Sequence, residues 1–333
     1  MKTQTYKFFR LSLVISLALA LSACKPTTAT PAAPTPITVQ LAWTHQALFA
    51  GFYAAEQQGY YAEEGLAATF LPRPNLGINV IPLVVDGTAD FGVDFGAGLI
   101  LARSQGLPVT AIATIYRRHP LVFITLADSG LTRPQDFPGH TIRTLVPGGS
   151  AIAFQAMMTR LGLDPNSVEQ VDIGYDLAPF FAGEVDILPG FFNFDVLTAH
   201  EQGYQVNLIF PEDYGVHLYG CTLFTTDRLI QENPNLVERF LRATLRGWQW
   251  AVENPEEAGP LALKYDPALD ASHQVAIMTA SIPLVNTGEG YIGWMKPEIW
   301  SGMEQTLREQ DVLTVPLDVT QVYTMQFLEE IYK

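Results

Sequence analysis

Aromatic and polar side chains crowd one short stretch of the chain, WTHQALFAGFY at residues 43–53. Trp43, Phe49 and Tyr53 could stack on a flat ring, and the amide of Gln46 could meet polar groups at the ring edge. Phe49 and Tyr53 are four residues apart and share a helix face, a spacing that suits core packing equally well. Trp43 likewise suits either a ring-binding site or a hydrophobic core.

Asp94, Tyr116, Gly149 and Ser150 are further candidates, because each lies at the end of a predicted strand or the start of a predicted helix. Asp94 begins the turn DFGAG, where it could meet a ligand hydroxyl or cap the next helix. Tyr116 closes IATIY and is a second stacking candidate. In PGGSAIA, Gly149 and Ser150 would let backbone N–H groups approach a polar ligand. A phosphate-binding loop is less favoured, since no G-K-[ST] follows.

Two later segments add candidates of the same kind. GFFNFDV at 190–196 follows the predicted strand VDIL and offers Phe192, Asn193 and Asp195, of which Asn193 is the preferred polar contact. PEDYGVHLYG at 211–220 offers Tyr214. Together these residues combine ring faces with groups that bind a polar ring edge.

Catalytic and metal-binding motifs find little support in the sequence. There is no G-x-S-x-G elbow, and the six histidines are scattered singly rather than paired at zinc-ligand spacing. We therefore predict a binding protein with no catalytic residue, no metal and no cofactor.

The first 23 residues predict a secretory signal peptide: a basic start, the uncharged run LSLVISLALA, and then LSAC. LSAC matches the lipobox of bacterial lipoproteins, in which the cysteine, here Cys24, receives lipid and becomes the mature N-terminus. The apolar run is too short to span a bilayer comfortably. We expect a protein held by its lipid on the extracytoplasmic side of the cell membrane.

The segment 24–36 is rich in Pro, Thr and Ala, which predicts a flexible tether. Removing residues 1–23 takes away Lys2, Lys7 and Arg10 and so changes the net charge from −15 to −18. This acidity argues against nucleic acid as a partner. Cys221 is the other cysteine, so no disulfide framework exists and a small buried side chain is expected.

Short β-rich runs alternate with helical stretches, which predicts an α/β fold with mostly parallel sheets. Strands are expected at 37–43, 66–72, 89–93, 109–126, 140–146, 168–174 and 185–191. We predict two lobes, one from 37–123 with 218–333 and the other from 124–217. The ligand would lie in the cleft between them, at the carboxyl ends of the strands.

Four segments carry a resemblance to a known family: FAGFYAAEQQGYYAEEGL, DGTADFGVDFGAGLILARSQGLPVTAIATIY, PQDFPGHTIRT and DYGVHLYG. With the lipobox, they make the chain similar to the solute-binding lipoproteins of ABC importers. Within that class it resembles the thiamine-pyrimidine-synthase-like branch, which binds thiamine-precursor pyrimidines and, in one subgroup, riboflavin. The resemblance covers nearly the whole mature chain. It implies a two-lobed periplasmic-binding-protein fold of type II and a membrane permease as partner.

The same resemblance separates the ligands. Pyrimidine-binding members have W-x-P-N-x-x-H-x-G, and here Gln46 takes the place of the Asn and Phe49 that of the His. A pyrimidine would lose its ionisable partner, while a larger ring gains an aromatic face. Related eukaryotic enzymes carry a Cys-rich loop, and the matching PGGSAIAF has no cysteine.

These features together predict capture of riboflavin, or a related neutral aromatic vitamin, for delivery to the permease. An acidic, aromatic-rich protein suits a neutral ring with a hydroxylated chain. The alternatives are a thiamine-precursor pyrimidine as ligand and a pyrimidine-synthase-like enzyme. Alkanesulfonates, taurine and nitrate bind the same fold but suit the acidic charge less well.

Overall fold

The computed structural model describes residues 33–75, 79–146 and 149–333, and Pro34–Lys333 forms one compact unit. The predicted signal peptide, the lipidation site Cys24 and most of the predicted tether lie outside the described residues. So do residues 147 and 148 of PGGSAIA. Ten strands occur in the described ranges: β1 Thr35–Gln40, β2 Leu66–Leu71, β3 Phe91–Phe95, β4 Val109–Thr114, β5 Leu121–Leu126, β6 Thr141–Arg143, β7 Glu169–Val171, β8 Leu188–Phe191, β9 Val206–Ile209 and β10 Cys221–Thr226.

Thirteen α-helices occur in the same described part of the chain: α1 Ala50–Gln57, α2 Tyr60–Glu63, α3 Ile81–Val85, α4 Gly96–Ser104, α5 Ser150–Arg160, α6 Ala178–Phe181, α7 Asp195–Glu201, α8 Asp227–Glu232, α9 Pro234–Glu253, α10 Pro255–Ala258, α11 Ala271–Val285, α12 Pro297–Glu309 and α13 Gln326–Ile331. Short 3₁₀ turns lie at Ala47–Phe49, Pro134–Asp136, Pro165–Ser167, Pro211–Tyr214, Gly259–Lys264 and Val319–Gln321.

The first sheet has five strands in the order β2-β1-β3-β10-β4. β1 is parallel to β2 and to β3, whereas β10 is antiparallel to both β3 and β4. The strands β1 to β4 therefore all run the same way, and their carboxyl ends share one edge. A chain that follows any of these four strands leaves the sheet at that edge.

The second group of strands is built from residues between β4 and β10. β8 and β9 flank β5 and pair with it antiparallel, while β6 pairs parallel with β7. A parallel bridge between Ile142 and Ile187 connects β6 to the start of β8. Accordingly β6, β7 and β8 run the same way and end at a second common edge.

The predicted long β stretch at 109–126 divides into β4 and β5, which belong to different sheets. The break covers IYRRHP at 115–120, where three cationic or polar residues precede Pro120. Proline has no N–H to donate to a ladder, so it ends the pairing there. Tertiary pairing then sends β5 into the second sheet.

The helices α1 and α9 pack closely through glycines. A Cβ at Gly51 would lie 2.2 Å from the ring of Trp248, and a Cβ at Gly247 would lie 2.2 Å from the Gly51 carbonyl oxygen. Only a missing side chain allows this approach. The contact covers the first sheet with a large core that includes Phe52, Phe240 and other buried aromatic residues.

Candidate ligand-binding site

The carboxyl edge of the first sheet presents both aromatic and charged groups. β1 ends at Gln40, whereas the sequence predicted that the strand ends at Trp43. Trp43 is therefore the third residue after the strand. Arg73 follows β2, and its Cζ lies 5.9 Å from the Trp43 ring centroid. Asp94 and Phe95 are the last residues of β3, so Asp94 lies within a strand and not in the turn predicted after it.

The second edge matches this arrangement. Arg143 ends β6, Tyr175 follows β7 by four residues, and Phe191 ends β8. The strand predicted over 185–191 forms at Leu188–Phe191, so its predicted end is confirmed. The Cζ of Arg143 lies 5.9 Å from the Tyr175 ring centroid, which repeats the pairing of Arg73 with Trp43.

The two edges face each other and touch through their aromatic rings. The centroids of Trp43 and Tyr175 are 6.0 Å apart, and those of Phe95 and Phe191 are also 6.0 Å apart. His119 lies on the connection between β4 and β5. Its ring centroid is 4.8 Å from that of Phe95 and 6.1 Å from that of Phe191. The two sheet edges therefore meet through aromatic rings that come from both sides.

Charges in this site are balanced within each edge. Burial raises the pKa of Asp94 to about 6, although the Phe95 N–H and the positive charge of Arg73 oppose the rise. Burial likewise raises the pKa of Asp195 against the effect of Arg143, and lowers the pKa of the Arg143 guanidinium. Each carboxylate thus has an arginine near enough to affect its pKa.

A buried hydrogen-bond network lies beside these edges. The Tyr116 hydroxyl is 3.1 Å from both the Leu48 carbonyl oxygen and Ser281 Oγ, and its single proton can go to one of them at a time. Asn193 donates through Nδ2 to Ser281 Oγ at 2.8 Å, and Ser281 donates to the Ile277 carbonyl oxygen. Burial raises the pKa of Tyr116, which keeps the hydroxyl protonated.

Two buried amide oxygens have no donor among the described residues, Gln46 Oε1 and Asn193 Oδ1. Asn193 is fully buried and Gln46 is 9% exposed. A buried acceptor that lacks a donor costs about 1–3 kcal/mol. Both oxygens are therefore suited to accept hydrogen bonds from N–H or O–H groups of a ligand.

Phe49 and Tyr53 lie in the core in this structure. Phe49 precedes α1 in the 3₁₀ turn and packs on Phe52, while Tyr53 in α1 stacks on Tyr265 at 4.5 Å. The Tyr53 hydroxyl lies 3.0 Å from His45 Nδ1. Both rings are almost fully buried, and their contact with a ligand stays a prediction.

The remaining predicted residues occupy different places. Ser150 begins α5, and its Oγ accepts the Val146 N–H. A Cβ added to Gly149 would have the Val146 carbonyl oxygen as its nearest neighbour, at 3.9 Å. Phe192 packs on Phe210, with ring centroids 6.1 Å apart. Tyr214 lies in the turn Pro211–Tyr214, with Arg133, Asp136 and Asp213 as charged neighbours. Of this group, Phe192 is nearest in sequence to the site.

Several residues at the site were missed in the sequence: Arg73, Phe95, His119, Arg143, Tyr175, Phe191 and Ser281. Most of them are the last residue of a strand or follow one closely. If the strand ends had been known accurately from the sequence, these residues could have been chosen as candidates. Ser281 comes from α11, which is remote in sequence and has no motif. Only the folded chain brings it to Tyr116 and Asn193.

The chain is similar to several known proteins. Residues 46–258 match the family model described as NMT1/THI5 like. The chain belongs to the NMT1/THI5-like family. The riboflavin-binding protein RibY of Chloroflexus aurantiacus is 30% identical over 95% of each chain. The formylaminopyrimidine-binding protein of Halalkalibacterium halodurans is 29% identical over 91% of this chain and 95% of its own.

The family also contains enzymes and shares its fold with transport proteins. A 4-amino-5-hydroxymethyl-2-methylpyrimidine phosphate synthase of Legionella pneumophila is 29% identical over 88% of this chain and 92% of its own. The periplasmic aliphatic sulphonate binding protein SsuA of Escherichia coli superimposes with a TM-score of 0.67 at 14% identity, covering 86% of this chain and 91% of its own. The predicted periplasmic-binding-protein fold is thereby confirmed.

No group of three or more His, Cys, Asp or Glu side chains among the described residues could hold a metal ion. No helix in the ranges that the structure describes is long and apolar enough to cross a membrane.

Proposed function

We propose that this protein is the substrate-binding component of an ABC importer and that its ligand is riboflavin. The observation that carries the proposal is a pair of buried amide oxygens with no donor among the described residues, Gln46 Oε1 and Asn193 Oδ1. Each residue comes shortly after a strand that ends at one of the two edges where the aromatic rings meet. The isoalloxazine ring has a ring N–H on its polar edge, and its ribityl chain carries hydroxyl donors. These donors would meet the two acceptors, while the ring faces stack on aromatic side chains.

The lining of the site favours a ligand larger than one pyrimidine ring. Trp43, Tyr175, Phe95, Phe191 and His119 place five rings along the facing edges. Each arginine has a carboxylate nearby, so a neutral ligand such as riboflavin needs no compensating charge. The relation to a protein named riboflavin-binding supports the same choice.

The wider setting belongs to the same proposal. The segments 37–123 with 218–333 and 124–217 act as two lobes that close on the ligand, as the two facing edges suggest. Cys24 carries the lipid that holds the protein on the extracytoplasmic side of the membrane. A permease then takes the ligand from the cleft.

A thiamine-precursor pyrimidine is the second candidate, because its amino group could also donate to Gln46 and Asn193. The similarity to a formylaminopyrimidine-binding protein favours it. The replacement of the family histidine by Phe49 counts against it. A synthase is a weaker alternative, since the chain has Cys24 and Cys221 alone and no cysteine in PGGSAIAF.

Flavin fluorescence provides the test. The purified protein should quench riboflavin fluorescence saturably, and Asn193→Ala should weaken binding about tenfold through the loss of one buried hydrogen bond. Asn166→Ala is the matched control, because Asn166 lies exposed in a turn and bonds to Asp164. Absence of quenching by the wild-type protein would overturn riboflavin as ligand. Equal affinities of Asn193→Ala and wild type would remove Asn193 from the site.

A further inference from the structure

We propose that Tyr175 is the second face of an aromatic clamp whose first face is Trp43, and that a flat ring binds between them. This inference rests on the proposed function, because it requires a planar aromatic ligand. The two rings come from opposite sheet edges and touch each other directly, with centroids 6.0 Å apart and planes at 52°. Tyr175 is nevertheless 56% exposed, so much of its side chain remains accessible to a ligand.

The space needed for such a ring is close to what the structure already has. A planar ring between two parallel rings needs about 3.5 Å on each side, or about 7 Å between the outer rings. The clamp therefore has to open by about 1 Å and turn its rings toward parallel.

Each ring of the clamp is backed by an arginine. The Cζ atoms of Arg73 and Arg143 lie 5.9 Å from the centroids of Trp43 and Tyr175 respectively. A cation over a ring face is attracted by the electrons of the ring and so restricts the tilt of the ring. Arg143 also donates to the Pro189 carbonyl oxygen, which fixes the guanidinium against β8.

The loop that carries Tyr175 has a defined shape. The Gly174 N–H donates to Asp172 Oδ1 at 3.0 Å, and the Ala178 N–H donates to Asp176 Oδ1 at 2.9 Å. Gly174 has φ +60°, a conformation that glycine adopts without strain. Tyr175 is thus held between two side-chain-capped turns, so little of its freedom remains to be lost on binding.

The charges behind the clamp decide which kind of ligand it takes. Against the larger effect of burial, the negative charge of Asp195 raises the pKa of Arg143, and the positive charge of Arg73 lowers the pKa of Asp94. Each cation therefore has a carboxylate within electrostatic reach. An anionic ligand would gain one arginine and meet one carboxylate at each side. The clamp therefore favours a neutral flat ring over a phosphorylated one.

Substitutions at Tyr175 test the clamp on the full-length protein. Riboflavin and 4-amino-5-hydroxymethyl-2-methylpyrimidine are each titrated into wild type, Tyr175→Ala, Tyr175→Phe and Tyr204→Ala. Tyr204 is the matched control, because it is 37% exposed and stacks on Phe181 at 4.1 Å in the turn before β9. Tyr175→Ala should weaken binding at least about fivefold, the loss of one stacked face. Tyr175→Phe and Tyr204→Ala should bind within twofold of wild type.

The outcomes separate the clamp from the identity of the ligand. If wild type binds riboflavin and Tyr175→Ala binds it equally well, the clamp is wrong and the proposed function stands. If wild type binds the pyrimidine alone and Tyr175→Ala weakens that binding, the clamp stands and riboflavin is wrong. Equal losses in Tyr175→Phe and Tyr175→Ala would contradict stacking, and binding of neither ligand would overturn both proposals.

Discussion

Asp94 is a single residue at the site whose protonation affects the stability of the whole fold. It is the last residue but one of β3, and its carboxylate accepts the Phe95 N–H at 2.6 Å. Burial raises its pKa to about 6, from an ordinary value of 3.8. A carboxyl group with a raised folded pKa stabilises the fold fully below pH 3.8, and this stability is lost as the pH rises through 6.

We predict that Asp94→Asn makes the protein more stable than wild type at pH 8, by up to about 3 kcal/mol. The amide has no charge to desolvate, so the advantage should shrink as the pH falls toward 4. Urea unfolding of both proteins at pH 4.5 and pH 8 measures the difference. His119, whose pKa burial lowers to about 4, acts equally in both proteins and cancels in that comparison. A difference that is the same at both pH values would contradict the prediction.

At this scale the sequence predicts some site residues and not others. Trp43, Asp94 and Asn193 could be chosen because they lie near the ends of recognisable strands. Phe49 and Tyr53 fit a ring-binding pattern and a core pattern equally, and here they lie in the core. Tyr175 and Ser281 could not be found, since their partners are distant in sequence and nothing local marks them.

Among the elements, the contact between α1 and α9 determines where the candidate residues just before α1, Gln46 and Phe49, lie against the core. α1 follows Gln46 and Phe49 directly, so its position on α9 determines where they lie. The glycines at the contact allow the two helix backbones to approach. A side chain there would push the helices apart.

We predict that Gly247→Ala destabilises the protein by about 1–3 kcal/mol, because the added Cβ would lie 2.2 Å from a backbone oxygen and 2.6 Å from the Ala55 Cβ. Gly302→Ala in α12 is the matched control, since a Cβ there meets nothing within 4 Å. That variant should gain about 0.5–1 kcal/mol from helix propensity. Urea unfolding compares the two, and a Gly247→Ala protein as stable as Gly302→Ala would contradict the close packing.

The elements themselves were predicted well in type and less well in extent. Strand–helix alternation correctly indicated an α/β fold, because hydrophobic periodicity is a local property. The expectation of mostly parallel sheets was wrong, since four of the seven strand pairs in the described residues are antiparallel. Pairing is not local, so the division of 109–126 between two sheets could not be predicted. The boundaries of the two predicted lobes stay a prediction.

Across the whole molecule, the two sheet edges are joined by contacts beyond the aromatic ones. His273 Nδ1 in α11 lies 2.8 Å from Glu201 Oε1 in α7, and the His273 ring is 5.7 Å from that of Phe194. With the bond from Asn193 to Ser281, these contacts hold the edges together. A ligand favours this arrangement only if it binds it better than an open one.

The central claim is that the site takes riboflavin in preference to a thiamine-precursor pyrimidine. Titration calorimetry of the wild-type protein with each ligand, under identical conditions, tests it most directly. We predict that riboflavin binds at least about tenfold more tightly, a difference of about 1.4 kcal/mol that reflects its larger stacked surface. Tighter binding of 4-amino-5-hydroxymethyl-2-methylpyrimidine, or no heat of binding with riboflavin, would contradict the claim.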